Sequence, residues 1–528
     1  MTTSTRRRAG PREWAGLGVL ALPTVLLGLD VTVMYLAIPA LSADLNPSSV
    51  EALWIMDAYG FLIAGLLITM GTLGDRIGRR RLLMIGAVAF GAASVAAAFS
   101  TSATMLIASR AALGIAGATL MPSTLALISN MFTDVRQRAL AFGVWATMFA
   151  LGMAAGPLIG GLLLDSFWWG SAFLVALPVV ALVLVAAPLL LPEYRDPGSG
   201  RIDLISVGLS LAAILPVIYA IKHGASEGVD ATAVVGLVAG LAFGVAFVRR
   251  QNRLPDPLLD LRLFAAPAFT SALTILLVGL VGVGGAMFLV TQHLQLVEQL
   301  PPMQAGFWMG PPALMMFVAA IGAPLLARRI RPGHIVGGTL ALSAVGYVLL
   351  RSVDGPGSIG LVTAGFGLVY LGLGAIAALG TDLVVGGAPP EKAGSASAMS
   401  ETVQELGLAV GVAVLGSLAS AVYRDRLVAP AELPAPVAAA YGESLSGASS
   451  VADRLPAGLI EQARAAQVAG LQVTATVSAV AILALAVLSV VVLRHIGTVG
   501  DDETRGETED ADEQAGAAVD AGRATGSG

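Results

Sequence analysis

Cysteine is absent from the 528 residues, which excludes disulfides, thiolate-ligated metals, iron–sulfur clusters and cysteine nucleophiles. Lysine occurs only as Lys222 and Lys392, and neither follows a glycine. The phosphate-cradling G-x-x-x-x-G-K-[ST] loop therefore cannot form, and ATP hydrolysis by that route is excluded. The four histidines, His223, His293, His334 and His495, stand outside any H-E-x-x-H setting, and no metal site is expected. Charge of either sign is scarce. Asp, Glu, Lys and Arg make up 12% of the chain, about half the roughly 25% usual in soluble domains. Apolar residues take their place, at 56% of the sequence with a mean hydropathy of +0.82.

These apolar residues fall into fourteen charge-poor runs, each close to the roughly 20 residues a helix needs to cross a bilayer. Lipid offers no water to the backbone, so each run must be helical. The fold class expected is an all-α polytopic membrane protein with fourteen transmembrane helices. The first run follows Arg6, Arg7, Arg8 and Arg12, but it is too long for a signal peptide and lacks a small-x-small cleavage site. It therefore counts as helix 1. The chain divides into an N-terminal tail (1–16), a six-helix bundle (17–192), an inserted pair of helices 7 and 8 (204–249), a second six-helix bundle (267–493) and a C-terminal tail (494–528). Matching basic hairpins follow helix 2 (Arg76, Arg79, Arg80, Arg81) and helix 10 (Arg328, Arg329, Arg331). Such correspondence between halves is expected of a parallel-repeat transporter.

The net charge of −5 is set by the tail. Residues 499–528 hold nine acids against Arg505 and Arg523, so the rest of the chain stands at +2. That tail has too little apolar surface to offset its ordering entropy and is expected to be disordered. Loops on the side of the termini carry 16 Lys/Arg; short loops on the other side carry two, Lys222 and Arg351. The positive-inside rule then places both termini in the cytoplasm.

A charge at mid-bilayer costs about 2.5–3.5 kcal/mol on insertion scales, so each one kept there calls for a reason. Five stand out: Asp30 in helix 1, Asp57 in helix 2, Arg110 in helix 4, and Glu401 with Glu405 in helix 13. At about 1.5 Å per residue, Asp30, Asp57 and Arg110 fall in the same outer half of the membrane and can share one polar site. Arg110 can pair with either aspartate. Glu401 and Glu405 are four apart and share a helix face. Two carboxylates held that close in a low dielectric do not both stay ionised near neutral pH, so one of them exchanges a proton. One base cannot neutralise four acids, and the excess calls for protons, water or a cationic ligand. In helix 5, Gly152, Gly156, Pro157, Gly160 and Gly161 combine a smooth stripe with a helix-bending proline. They are expected to form a rocking seam between the halves.

Several of these stretches resemble the major facilitator superfamily, and within it the fourteen-helix drug:proton antiporters such as the quaternary-ammonium efflux pumps. Gly71-Thr-Leu-Gly74-Asp75-Arg76-Ile-Gly78-Arg79-Arg80-Arg81 is similar to the superfamily's signature between helices 2 and 3. Leu29-Asp30-Val31-Thr32-Val33, with Ala37-Ile38-Pro39, resembles the first-helix motif of the fourteen-helix branch. Arg110 with Gly114 and Gly117 resembles the helix-4 motif tied to proton coupling, and Gly152 to Gly161 the antiporter motif. Ser400-Glu401-Thr-Val-Gln-Glu405-Leu-Gly407 is similar to the acidic helix-13 segment of multidrug members. The chain departs from the pattern twice: the loop Gly322–Gly333 has no acid matching Asp75, and helix 10 has no acid, which weakens the case for dications.

The resemblance implies a major-facilitator fold of two six-helix bundles plus two inserted helices. It also implies export of lipophilic, mainly cationic compounds, with no cofactor and the proton gradient as energy source. Asp30, Asp57 and Arg110 would couple protons. Asp57, Glu401 and Glu405 would bind substrate, with Met34, Tyr35, Trp54, Phe61, Trp145 and Phe149 as apolar walls. Gly71, Asp75, Arg76, Gly78 and Arg79 would form a latch, Asp75 facing the positive N-terminus of a helix in the other half. A dedicated exporter of a neutral metabolite such as an antibiotic is the alternative; importer and membrane-enzyme readings find no supporting motif. Expected partners are lipophilic small molecules, protons and the bilayer of a bacterial plasma membrane, with no nucleic acid and a monomeric chain. The long connection 424–467 is expected to form an extracytoplasmic excursion, with a proline-started helix over Leu455–Arg464.

Overall fold

The computed structural model describes residues 9–195, 203–254 except 229, 257, 259, 261–386, and 393–495 except 428, 429, 431 and 432. The tail segments 1–8 and 496–528, including the acidic stretch expected to be disordered, lie outside the described residues. Among the described residues, fourteen helical segments are long and apolar enough to cross a membrane. The first bundle comprises α1 (Pro11–Leu45), α2 (Ser49–Ile77), α3 (Arg79–Ala98), α4 (Ala103–Met131), α5 (Val135–Ser166) and a last span broken into α6 (Ser171–Leu174) and α7 (Ala176–Leu190). The inserted pair is α8 (Leu204–Glu227) and α9 (Ala231–Gln251). The second bundle comprises α10 (Pro267–Gln292), α11 (Pro302–Trp308) with α12 (Gly310–Ala327), α13 (Pro332–Arg351), α14 (Ile359–Gly386), α15 (Ala393–Arg426) and α18 (Leu459–Val492). Between the last two lie the short α16 (Ala435–Glu443) and α17 (Leu445–Ser450).

The sequence sets the helix ends by ordinary capping chemistry. Ser48 opens α2 by accepting from the Glu51 amide while Glu51 accepts from the Ser48 amide. Ser102 and Asp134 cap α4 and α5 in the same way through the amides of Met105 and Gln137. Asp203 caps α8 and also takes two hydrogen bonds from Arg250 at the end of α9, at 2.8 and 2.9 Å. The Arg250 bonds, with those from Ser206, hold the Asp203 carboxyl down to about 2. Its contribution is therefore complete above the ordinary carboxylate range and is lost only as pH falls through about 2.

Without a hydrophobic driving force between helices in lipid, close approach depends on small residues. The two bundles use them in parallel. Gly152 and Gly156 of α5 face the Val25 and Leu29 carbonyls of α1, and Gly411 and Gly284 bring α15 and α10 into the same contact through the carbonyls of Val281 and Leu408. Gly114 of α4 meets the Tyr59 carbonyl of α2, as Gly374 of α14 meets the Met316 carbonyl of α12. First pairs with fifth and second with fourth in each bundle, which is the internal repeat anticipated from the basic hairpins.

This packing corrects the expected role of the helix-5 glycines. Gly152, Gly156 and Gly160 all seat α5 on α1 within the first bundle; only Gly161, against Pro302, and Pro157, against Gly306, touch the second. The reason is angular. Spacing of four keeps the stripe on one face, whereas residue 161 points roughly 100° away from residue 160.

The bundles meet on the face opposite the termini. There Gln295 donates to the Leu36 carbonyl at 3.1 Å, Leu53 packs on Gly416, and α5 packs on α11. The connection 424–467 covers this face, but not with the helix expected over Leu455–Arg464. Arg426 ends α15, α16 and α17 form the cover, and the last expected turns are the start of α18, which begins at Leu459, nine residues before the expected 468. Tyr423 donates to the Tyr441 carbonyl at 3.0 Å, and Tyr441, Leu445 and Ala448 join Leu459 and Ala463 in a small apolar cluster. Under the cover lies a cavity of about 100 Å³ lined by Ser42, Leu53, Gln292, Tyr423, Glu443 and Ser444, with walls from both bundles. If the chain exports as the resemblance implies, replacing residues 430–456 by a short connector should slow that export without reducing the amount of chain in the membrane. Unchanged export by that deletion would make the cover mere packing.

Candidate functional site

Arg110 is brought to the centre by the glycine one turn below it. Gly114 lets α4 lie against the Tyr59 carbonyl, and a Cβ there would clash with backbone. The guanidinium, 2% exposed, then donates through Nη1 to Asp30 Oδ2 at 2.8 Å and through Nε to the Ile55 carbonyl at 3.0 Å, and it lies 4.5 Å above the Tyr59 ring. Of the two partners the sequence left open, Asp30 takes the arginine.

Asp57 pairs elsewhere. Lys222 Nζ, from the inserted helix α8, lies 2.8 Å from Asp57 Oδ2, with both side chains essentially sealed from the surface. The ammonium also lies 4.3 Å above the Trp54 ring. This is a buried, charge-assisted pair, and neither Nζ nor the Asp57 oxygens find any further hydrogen-bond partner among the described residues. The sequence places Lys222 in a loop; it lies instead inside α8, which continues to Glu227, with Asp57 as its ion-pair partner. That correction leaves Arg351 as the single Lys/Arg in short loops of the far face.

Glu401 and Glu405 are buried on α15, at 8% and 6% exposure, and have no ion-pair partner among the described residues. Glu405 lies within electrostatic reach of Asp30, and Tyr35 within reach of Asp57, Arg110 and Glu405. Tyr59 is in reach of Asp30, Glu405 and Arg110, and its hydroxyl has no hydrogen-bond partner among the described residues. Asp30, Asp57, Arg110, Lys222, Glu405 and the two tyrosines thus form one polar cluster spanning both bundles.

The expected wall residues divide. Tyr35 and Trp54 border the cluster. Met34 is buried in the main core, and Phe61 is sealed with Ile218, Ala409 and Ala413 in the α2–α8–α15 seam, so neither lines an open cavity. Trp145 and Phe149 are partly buried on α5, Trp145 donating to the Thr124 hydroxyl at 3.0 Å. Sequence reasoning missed Lys222 and Tyr59. One of only two lysines in an arginine-rich chain, together with an aspartate lacking a base, was the available signal for the first; Tyr59 offered none.

The basic hairpin is tied to its own bundle. Arg79 bonds Asp75 through Nε at 2.8 Å and Nη2 at 2.6 Å, Arg80 donates its amide to Glu193 at 3.2 Å, and the Arg79 amide donates to the Tyr194 carbonyl at 3.0 Å. Gly78 turns the chain at φ +113°, where a side chain would be strained and would meet Glu193. In this conformation Asp75 contacts Arg79 and not the second bundle, among the described residues. If Asp75 closes the termini face in another conformation, Asp75→Ala should raise labelling of cysteines introduced on that side of the cavity, in a chain otherwise free of cysteine. Unchanged labelling would remove the latch.

The sequence matches the family model described as Major Facilitator Superfamily over residues 20–412. The multidrug efflux pump LfrA of Mycolicibacterium smegmatis is 41% identical over 93% of this chain and 99% of its own length. The methyl viologen resistance protein SmvA of Salmonella typhimurium is 35% identical over 84% of this chain and 90% of its own. Among solved structures, a bacterial homologue of the human lysosomal transporter Spinster superimposes with a TM-score of 0.64 at 16% identity, covering 92% of this chain and 98% of that one.

Proposed function

The chain belongs to the major facilitator superfamily, and from that premise we propose that it is a proton-coupled antiporter exporting lipophilic, mainly cationic drugs or antiseptics. It is a multi-pass bacterial membrane protein with fourteen spans. Its efflux relatives support small-molecule drugs as cargo. The observation that carries the reading is the pair Glu401 and Glu405: two buried carboxylates without a cationic partner among the described residues, with Glu405 in reach of an aspartate already paired with Arg110. Such a pair binds protons from one side and a cation from the other, and the two ligands exclude each other by charge.

In this reading both termini lie in the cytoplasm of a bacterial plasma membrane, the chain works as a monomer, and it carries out no catalysis and needs no cofactor beyond the proton gradient. The joined face is then the outer one, the arrangement in which an exporter loads from inside. The test is ethidium accumulation in everted vesicles. Acidifying the lumen should drive uptake, and collapsing the gradient should stop it. Uptake that ignores the gradient would overturn proton coupling, while uptake of a neutral compound in preference to ethidium would favour a dedicated metabolite exporter.

A further inference from the structure

The two bundles meet along two related seams, α5 with α11 and α12, and α15 with α2. The inserted pair packs on the second through α8: Leu211 lies against Gly65 of α2, and Ile218 joins Phe61 of α2 and Ala409 and Ala413 of α15. α9 packs on α8 and turns most of its surface outward. A pure linker would need only apolar residues on α8. Lys222 is instead fully buried there, at a stated cost to insertion that its single neighbour Asp57 must offset.

The surroundings of that ammonium are those a lipophilic cation seeks. A carboxylate lies on one side at 2.8 Å and an indole face on the other at 4.3 Å, within an apolar seam that includes Ile214 and Ile221. Beyond the ion pair itself, neither group has another hydrogen-bond partner among the described residues, so a competing cation that takes this place has that one contact to replace. Resting on the cation-export reading, we propose that Lys222 is a built-in counter-cation: it occupies the Asp57–Trp54 site, and the charged head of a lipophilic monocation displaces it on binding. The inserted helices thereby set specificity. A neutral molecule cannot replace the lysine's charge, and Asp57 is never left bare between transport cycles.

Displacement lowers apparent affinity by the fraction of time the site is free of lysine, and a site free about a tenth of the time binds roughly tenfold more weakly than an empty one. Binding of tetraphenylphosphonium to the purified full chain in nanodiscs, without a gradient, tests this. Lys222→Met should bind it about tenfold more tightly than the unaltered chain, while Lys222→Met with Asp57→Asn should lose that gain. Equal affinity of Lys222→Met and the unaltered chain overturns the inference alone. Absence of binding by either overturns it together with the cation-export reading. Should Lys222→Met fail to fold, the unaltered chain still decides. With only two lysines present, acetic anhydride followed by mass mapping reads Lys222 directly. Saturating tetraphenylphosphonium should raise its acetylation, and unchanged or reduced acetylation overturns the displacement.

Discussion

Asp30→Asn should reduce gradient-driven uptake into everted vesicles to the level of vesicles lacking the protein, while downhill exchange of substrate continues. Asp30 accepts from Arg110 at 2.8 Å in a site sealed by α1, α2 and α4. In the proposed coupling a proton reaches or leaves Asp30 as that guanidinium shifts to its other contacts, the Ile55 carbonyl and the Tyr59 ring. Asparagine keeps an acceptor oxygen for Arg110 but cannot exchange a proton, so it separates coupling from architecture. Removing one partner of a buried ion pair costs about 3–5 kcal/mol when the other charge is left bare, which is why alanine would confuse lost coupling with lost folding. Asp30→Asn with Arg110→Gln removes both charges and should likewise insert without coupling. Gradient-driven uptake by Asp30→Asn at the unaltered rate would sink the assignment.

The spans and most of the intramembrane acids were legible in the sequence because each is a local property. A run of apolar residues identifies a helix by itself, and Asp30 or Glu405 within such a run is costly wherever its neighbours stand. Lys222 was not legible, for a local reason too: Ile221 closes a hydrophobic run, and Lys222, His223 and Gly224 read like a helix end emerging into a loop. The helix runs on through Gly224 to Glu227 and ends at Gly228, where φ is +89°, and the lysine is held inside by a partner 165 positions earlier. Pairings between distant helices carry no periodic signal. The same limit explains the glycine stripe of α5, whose smooth face was evident but whose partner, α1, is fixed by bundle topology. It also explains why Phe61 looked like a cavity wall: its burial comes from the docking of α8, a contact between segments the sequence treats as separate.

Neutralising both acids of α15, Glu401→Gln with Glu405→Gln, should weaken monocation transport far more than transport of a neutral compound of similar size. Arg110 and Lys222 already satisfy Asp30 and Asp57, so these glutamates are the buried intramembrane carboxylates with no cationic partner among the described residues, open to a proton or a cation. A contact between a desolvated carboxylate and a bound cation contributes about 1.5–3 kcal/mol, which corresponds to roughly ten- to hundredfold in affinity. Glutamine preserves size and polarity, and Gln404 beside them already bonds Thr381 and Ser400, so α15 keeps its packing. A neutral substrate, which gains nothing from the charge, should lose no more than a few-fold. The single variants assign the roles within the pair. Glu405 lies in reach of Asp30 and should alter proton coupling when neutralised, whereas Glu401, one turn nearer the termini face, should alter mainly cation affinity. An equal fall for the cation and the neutral compound in the double variant would mean that the two carboxylates carry protons only, and the charge selectivity of the pump would then have to reside at Asp57 and Trp54.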